Sequence, residues 1–314
     1  MNSDVGVWLW TSTASDAGAA VQSLRWAEEA FARVEAELSR FRPASGLSRL
    51  NAAAGEGPQL VSPLLWTLLS LALEAAEASG GVFDPTLLRT MERLGYDRSF
   101  EALVPEPESE PLSPRSGTDA WRRVRLDANV RSVSLPADHG VDLGGIAKGW
   151  TVDHVARALA AFGPVLVDAG GDLCVTGTIA GEPWPIAVQD AFAPERDRGV
   201  VQVTSGALAT SSVGGRRWER GGRTYHHLVD PRTGLPASGD LHTVTVAAPC
   251  AMTADVAAKV ALVLGRAAGA AYLHSHGLQG LLTSADGRET VVGDLFLLLD
   301  KADHHDDCHR DGIH

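Results

Sequence analysis

The chain has 314 residues, of which 45% are hydrophobic and 21% charged, as in an ordinary globular protein. Its 27 basic and 39 acidic residues give a formal net charge of −12. This balance argues against a nucleic-acid binder and against electrostatic docking on anionic lipid. Three scattered cysteines form no disulfide framework, and no apolar run reaches the ~18 residues of a membrane helix.

The first amino acids show neither a basic region followed by an apolar one nor a lipid-anchoring cysteine. As given, the sequence therefore predicts a cytoplasmic protein without membrane insertion, and an exported form stays open if the N-terminus has been trimmed.

In the first half of the chain, apolar periodicity predicts mostly helices after one strand. A stretch with four prolines among Glu, Ser and Gly then predicts an exposed, mobile insertion. The predicted elements are a strand at 5–10, a helix at 19–38, a loop with a short turn at 39–51, a helix at 62–78 ended by Gly80-Gly81, a short helix opening at 84–86, and the insertion at 104–119.

The second half predicts short strands with two further helices. The fold class is α+β, with a mixed or antiparallel sheet packed against helices, in one compact unit or two closely joined lobes over 1–300. The predicted elements are strands at 124–126, 132–135, 165–175, 185–189, 200–204, 241–247 and 280–283, a glycine-rich segment at 140–149 leading into a helix through 159, a helix at 254–264, and a polar, His-rich tail at 301–314.

The glycine-rich segment places an acid, a tight turn and a lysine directly before a helix. Glycines expose backbone groups to a ligand, and a helix start favours anionic oxygens. Lys148 is suited to a phosphate, and Asp142 to a ribose hydroxyl or a ring nitrogen. The alternative is a glycine cap with a solvated lysine. The segment matches neither a Walker loop nor a dinucleotide-binding fingerprint.

Two further glycine pairs lie beside acidic residues. Gly80-Gly81 precedes Phe83 and Asp84, and Gly170-Gly171 lies between two aspartates at the end of a strand. Such turns let a ligand approach the backbone closely. Phe83 is equally a candidate for the hydrophobic core.

Two residue types in the C-terminal half suit acid–base and metal chemistry. One imidazole of the His226-His227 pair is a candidate general base, and a hydrogen-bonded turn histidine is the alternative. Asp255 opens a helix of small residues, where a carboxylate is suited to Mg²⁺ or simply complements the helix dipole.

Taken in order, seven motifs resemble the ApbE family of flavin transferases, which move FMN from FAD onto a protein. The resemblance runs from about residue 39 to residue 265. The motifs are Ser39-Arg40-Phe41 with Ser45 and Leu50-Asn51, Gly81 to Thr86, Asp142 to Gly149 with Asp153, Gly170-Gly171-Asp172, Ala209-Thr210-Ser211, His227 to Gly234, and Ala254-Asp255.

The resemblance implies FAD as substrate and Mg²⁺ as cofactor. The Gly145 carbonyl and the Asp255 carboxylate would hold the metal against the pyrophosphate. Four residues after Asp255, this chain has Lys259 where the family has a metal-binding threonine. The residues implied in FAD binding are Phe41, Val82, Phe83, Asp84, Asp142, Lys148, Gly170, Gly171 and Val229.

The resemblance also implies a reaction, with His227 and Asp255 as its catalytic residues. His227 would deprotonate a threonine or serine hydroxyl of an acceptor flavoprotein. That oxygen would attack the FMN-side phosphorus of FAD and expel AMP, leaving a phosphoester. Two alternatives stay open: an FAD pyrophosphatase that yields FMN and AMP, and a non-catalytic FAD-binding or carrier protein.

Overall fold

The computed structural model of the protein describes residues 4–11, 17–104 and 119–294. Apart from its two end residues, the predicted insertion at 104–119 lies outside these ranges, as does the predicted tail at 301–314. The α-helices of the described residues are α1 Ala17–Leu38, α2 Gly46–Ala52, α3 Pro63–Ala78, α4 Leu88–Arg93, α5 Ala147–Leu159, α6 Ala251–Leu264 and α7 Arg266–Ser275.

The strands are short, and seven of the sixteen belong to one sheet. In chain order they are β1 Val5–Leu9, β2 Gln59–Leu60, β3 Arg125–Asp127, β4 Ser132–Ser134, β5 Val165–Ala169, β6 Asp172–Thr176, β7 Trp184–Gln189, β8 Asp197–Val203, β9 Gly206–Ser212, β10 Arg217–Arg220, β11 Arg223–His226, β12 Val229–Asp230, β13 Leu235–Pro236, β14 Leu241–Ala248, β15 Gln279–Ser284 and β16 Glu289–Val292.

A seven-stranded sheet organises the protein. Its strand order is β1-β5-β6-β9-β14-β15-β16, and every neighbouring pair is antiparallel. Helices and an antiparallel sheet in one fold confirm the predicted α+β class. Among the described residues, no helix is both long and apolar enough to cross a bilayer.

Several predicted boundaries were wrong. The strand predicted at 165–175 is two strands, β5 and β6, joined at Gly170 and Gly171, whose φ angles of 62° and 90° suit a tight hairpin. The predicted loop at 39–51 contains α2, whose first turn is capped because Ser45 Oγ accepts a hydrogen bond from Ser48 N at 2.9 Å. The short helix predicted to open at 84–86 begins only at Leu88.

Both faces of the sheet are covered. Helices α5 and α6 contact β5, β6, β9 and β14 on one face. The β7-β8 ribbon covers the other, and the alternating burial of β7 directs Trp184, Ile186 and Val188 into a core with Leu166 and Val175. The long helix α1 packs against α5 and against α3. The sheet thus fixes α5 and α6 side by side.

The crossing of α5 and α6 is held very close. A Cβ at Gly149 would lie 2.7 Å from the Ala251 carbonyl oxygen and 2.8 Å from Met252 N, so only glycine fits there. One turn later, the Asp153 carboxylate accepts hydrogen bonds from Ala251 N at 2.7 Å and from Met252 N at 2.9 Å. Asp153 therefore caps α6 from the neighbouring helix, which fixes Asp255 relative to α5.

A buried asparagine holds the segment that leads into α5. Asn51 Nδ2 donates to the Val141 carbonyl at 2.8 Å, and its Oδ1 accepts from Val141 N at 2.7 Å.

We expect Asn51→Ala to lower the free energy of unfolding by about 3 kcal/mol, because both backbone groups lose their buried partner. Urea denaturation measures this. The exposed Asn129→Ala is the control and should change it by less than about 0.5 kcal/mol; an equal loss in both variants would contradict the assignment.

Candidate functional site

Two buried carboxylates and two lysines form the centre of the site. Lys148, in the first turn of α5, pairs with Asp172 at 2.5 Å, and Asp172 begins β6 directly after the Gly170-Gly171 turn. On α6, Lys259 forms an ion pair with Asp255, one turn earlier. The side chains of Asp172 and Asp255 are only 2% and 3% exposed, whereas the lysines keep 23% and 19%. The lysine side chains therefore keep part of their surface accessible to a ligand.

The two ion pairs interact with each other. Burial and the negative charge of Asp255 raise the pKa of Asp172 to about 6, while Lys148 and Lys259 oppose the increase. Residues from β6, α5 and α6 thus share one electrostatic environment. Asp255 Oδ2 is buried and has no hydrogen-bond partner among the described residues.

The glycine-rich segment and the Gly80-Gly81 turn meet at this cluster. A Cβ at Gly145 would lie 3.0 Å from the Phe83 ring and 3.6 Å from Lys259 Cε. Phe83 is 7% exposed and belongs to a hydrophobic core cluster, with Val82 packed against it. Phe83 therefore packs in the hydrophobic core, as the alternative prediction has it, and it also borders the site.

Asp142 lies on the other side of the same segment. Arg40 Nε approaches Asp142 Oδ2 at 3.0 Å, and Asp142 Oδ1 accepts a hydrogen bond from Gly144 N at 2.7 Å. The Arg40 guanidinium lies 4.3 Å from the ring centroid of Phe41 and 4.5 Å from that of Tyr96. These contacts bring the loop after α1 to the glycine-rich segment.

His227 is a neutral imidazole beside positive charges. Burial, together with the positive charges of Arg216 and Lys259, lowers its pKa to about 3. A hydrogen bond to the Arg216 backbone raises the pKa, so a ring N–H donates there. Nδ1 is buried and has no hydrogen-bond partner among the described residues, so we assign the donated N–H to Nε2 and the proton-accepting lone pair to Nδ1.

This neutral state makes stability depend on pH through His227. Unfolding restores an ordinary pKa of 6.5, so the unfolded chain binds a proton below that pH while the folded chain stays neutral down to about 3. Stability from this group is present above pH 6.5 and is lost as the pH falls. When the pH is lowered from 7 to 5, we expect the free energy of unfolding to fall by about 2 kcal/mol more in the unaltered chain than in the His227→Asn variant. Urea denaturation at both pH values tests this, and identical losses would contradict it.

The remaining predicted FAD-binding residues lie in the β5-β6 turn, on β12 and in the turn before α4. Asp168 Oδ1 stabilises the Gly170-Gly171 turn, because it accepts a hydrogen bond from Gly171 N at 2.8 Å. Val229 is buried in an aromatic cluster with Tyr96 and Trp218. By contrast, the Asp84 carboxylate is turned into its own loop.

Asp84 Oδ1 accepts hydrogen bonds from the backbone N of Thr86 at 2.7 Å and from its hydroxyl at 2.5 Å. Its Oδ2 is buried without a hydrogen-bond partner among the described residues. Burial raises the pKa of this carboxyl. Asp84 therefore shapes the turn that carries Phe83.

Sequence reasoning did not assign several residues of the site. Arg216 interacts with both His227 and Tyr96, and a hydrogen bond links its side chain to Tyr96. Arg40 and Asp172 lie inside predicted motifs but carried no predicted role. Arg216 and Tyr96 belong to no motif, and only the fold brings them together. A basic residue before the β10-β11 hairpin gives no local signal of its own.

The donor set at Asp255 does not fit a resident Mg²⁺. A divalent ion needs several oxygen ligands, and the Lys259 ammonium already contacts Asp255 Oδ1. The stem of Lys259 also passes the Gly145 position, whose carbonyl was expected to be the other ligand. Among the described residues, no group of three or more His, Cys, Asp or Glu side chains is arranged to hold a metal ion.

Comparison with known proteins shows which family the sequence matches. The ApbE family profile matches residues 1–282. The FAD:protein FMN transferase of Treponema pallidum is 35% identical over 262 residues, covering 76% of this chain and 71% of that protein. The enzyme of the same name from Vibrio cholerae is 30% identical over 253 residues, covering 79% and 75%.

Solved structures agree in fold. The ApbE protein of Thermotoga maritima superposes with a TM-score of 0.76 at 26% identity, covering 93% of this chain and 94% of that one. The apo flavinyl transferase ApbE of Pseudomonas stutzeri has the same fold, with a TM-score of 0.75 at 22% identity, covering 95% and 97%. With its sequence profile and its architecture in agreement, this chain belongs to the ApbE family.

Proposed function

We propose that the protein transfers FMN from FAD to a threonine or serine hydroxyl of an acceptor flavoprotein and releases AMP. The observation that carries the proposal is the neutral His227 beside the Lys259 ammonium, in a cluster that also holds the Lys148–Asp172 pair. The names of the relatives support the same reaction. Transfer onto phosphorus requires positioning and cancellation of negative charge, together with activation of a weak nucleophile.

In this reaction the acceptor oxygen bonds to the FMN-side phosphorus, and the bond from that phosphorus to the bridging oxygen breaks. His227 takes the hydroxyl proton at Nδ1, and AMP leaves with the bridging oxygen. Lys148 and Lys259 bind the diphosphate as cations, which offsets the charge that develops in the transition state. Asp172 and Asp255 hold these ammonium groups in place.

The rest of FAD is assigned to the surrounding residues. Phe41, with 38% of its surface exposed beside Arg40, offers an aromatic face, and Asp142 offers carboxylate oxygens to a ribose or ring nitrogen. Backbone groups of the tight turns provide further contacts. The proposed FAD-binding residues are Phe41, Val82, Phe83, Asp84, Asp142, Lys148, Gly170, Gly171 and Val229.

The family resemblance implies Mg²⁺ with Gly145 and Asp255 as its ligands, but the donor set at Asp255 does not fit that ion. No step of the proposed reaction passes through it. The chemistry such an ion supplies when bound is neutralisation of diphosphate oxygens, and in this chain lysine side chains are placed to do the same.

The test is a transfer assay with FAD and a flavoprotein domain that carries a threonine attachment site. We expect a fluorescent acceptor band, a mass increase of one FMN less one water, and one AMP per modified acceptor. The same domain with that threonine changed to alanine is the control and should stay unmodified. FMN and AMP released without an acceptor would instead indicate a pyrophosphatase, and FAD bound but intact would indicate a carrier.

A further inference from the structure

Lysine is rare in this chain, and two of its lysines lie in the site. Of the 27 basic residues only three are lysines: Lys148, Lys259 and Lys301. Arginine fills the other basic positions, including the surface ion pairs of Arg198 and Arg288. A lysine ammonium is a compact point charge, whereas guanidinium is broad and planar. Both lysines of the described residues thus lie in this cluster.

The Lys259 ammonium is directed into the cluster rather than toward solvent. Nζ contacts Asp255 Oδ1 and lies 3.4 Å from the Asp255 carbonyl oxygen. Its Cε and Cδ lie 3.6 Å and 3.7 Å from a Cβ built at Gly145. The ammonium is therefore between α6 and the segment before α5.

The charge of Lys259 reaches the other groups of the site. It favours the ionised form of Asp172 and the neutral form of His227. Two carboxylates and two ammonium groups balance each other without a further cation. A divalent ion at Asp255 would have to displace Lys259 or lie against a like charge.

We propose that the Lys259 ammonium is the built-in cation of this site, binding the diphosphate of FAD where a divalent ion would otherwise act, so that transfer needs no Mg²⁺. This rests on the proposed function. The step is balanced as before: the acceptor oxygen bonds to phosphorus, AMP leaves, His227 receives the proton, and Lys259 keeps all of its own protons. Lys259 touches the reacting phosphate and is thus a catalytic residue.

The first experiment measures metal dependence in the unaltered protein. After dialysis against EDTA, flavinylation and AMP release with EDTA should stay within about twofold of the rates with Mg²⁺. Paramagnetic resonance of Mn²⁺, whose free-ion signal falls on binding, should show no equimolar bound ion, with or without FAD. The inference would be overturned if the unaltered protein binds Mn²⁺ and the Asp255→Asn variant no longer binds it.

The second experiment changes the cation. Lys259→Thr, which offers an oxygen, should lose at least about tenfold in EDTA-resistant flavinylation and gain binding of Mn²⁺. Arg288→Thr removes an exposed cation of the Arg288–Asp286 pair and should leave the rates unchanged. Full EDTA-resistant activity in Lys259→Thr would overturn the inference.

The two proposals fail in different ways. An unaltered protein that is inactive with and without Mg²⁺ contradicts the proposed function, while the Mn²⁺ titration still decides whether Lys259 excludes a metal. An unaltered protein that is active only with Mg²⁺ contradicts the inference about Lys259 and leaves the proposed function standing.

Discussion

His227→Asn is expected to slow FMN transfer about 10²- to 10⁴-fold, which is the usual contribution of a positioned general base. Asparagine fills similar space but has no basic ring nitrogen. Because a base acts in the transition state, the dissociation constant for FAD should change less than about threefold. Single-turnover AMP release and fluorescence titration of FAD measure the two quantities separately.

The neighbouring histidine provides the matched control. His226 Nε2 lies 3.1 Å from the Ala237 carbonyl oxygen, which ties this ring to the chain before β14. His226→Asn should therefore leave the rate of transfer within about threefold. Equal losses of rate in the two variants, or an equal loss of FAD affinity in His227→Asn, would show that His227 does not act as the base.

Gly149→Ala is expected to cost about 3 kcal/mol of unfolding free energy and to reduce transfer by about tenfold or more at a temperature where the variant is folded. The added methyl group would lie 2.7 to 2.8 Å from backbone atoms of Ala251 and Met252, which cannot move like a flexible side chain. Helices α5 and α6 must separate, which lengthens the Asp153 cap and moves Asp255 from its place beside the Lys148–Asp172 pair.

A second helical glycine controls for the effect of alanine itself. A Cβ at Gly18 in α1 meets nothing within 4 Å, so Gly18→Ala should raise the free energy of unfolding by about 0.5 kcal/mol and leave transfer unchanged. Thermal and urea denaturation measure both variants. Gly149→Ala with normal stability and normal rate would mean that the close crossing of the helices does not position the site.

Local patterns predicted the elements whose own residues dictate their conformation. Amphipathic spacing predicted α1 and α3, and the Gly170-Gly171 pair allowed the hairpin that divides β5 from β6. The strand β9, GALATSS, escaped prediction because its small residues have little β preference. Its pairing with β6 and β14 overrides that preference.

The functional site divides in the same way: local motifs predicted some of its residues, and only the fold brings the others together. Its glycine turns, Lys148, His227 and Asp255 lie in motifs whose order pointed to the family. The contact of Lys259 with Asp255 agrees with helical spacing of four residues, but its position against Gly145 depends on how α6 crosses α5. Arg216 and Tyr96 are 120 residues apart in the sequence, so no local sequence pattern predicts their contact.

A crystal structure of the chain with FAD tests the central claim most directly. Our account predicts diphosphate oxygens at about 3 Å from the ammonium groups of Lys148 and Lys259, with the FMN-side phosphorus facing His227 Nδ1. FAD bound elsewhere, for example in the groove lined by Trp66 and Trp121, with both lysines still paired only to their aspartates, would contradict it.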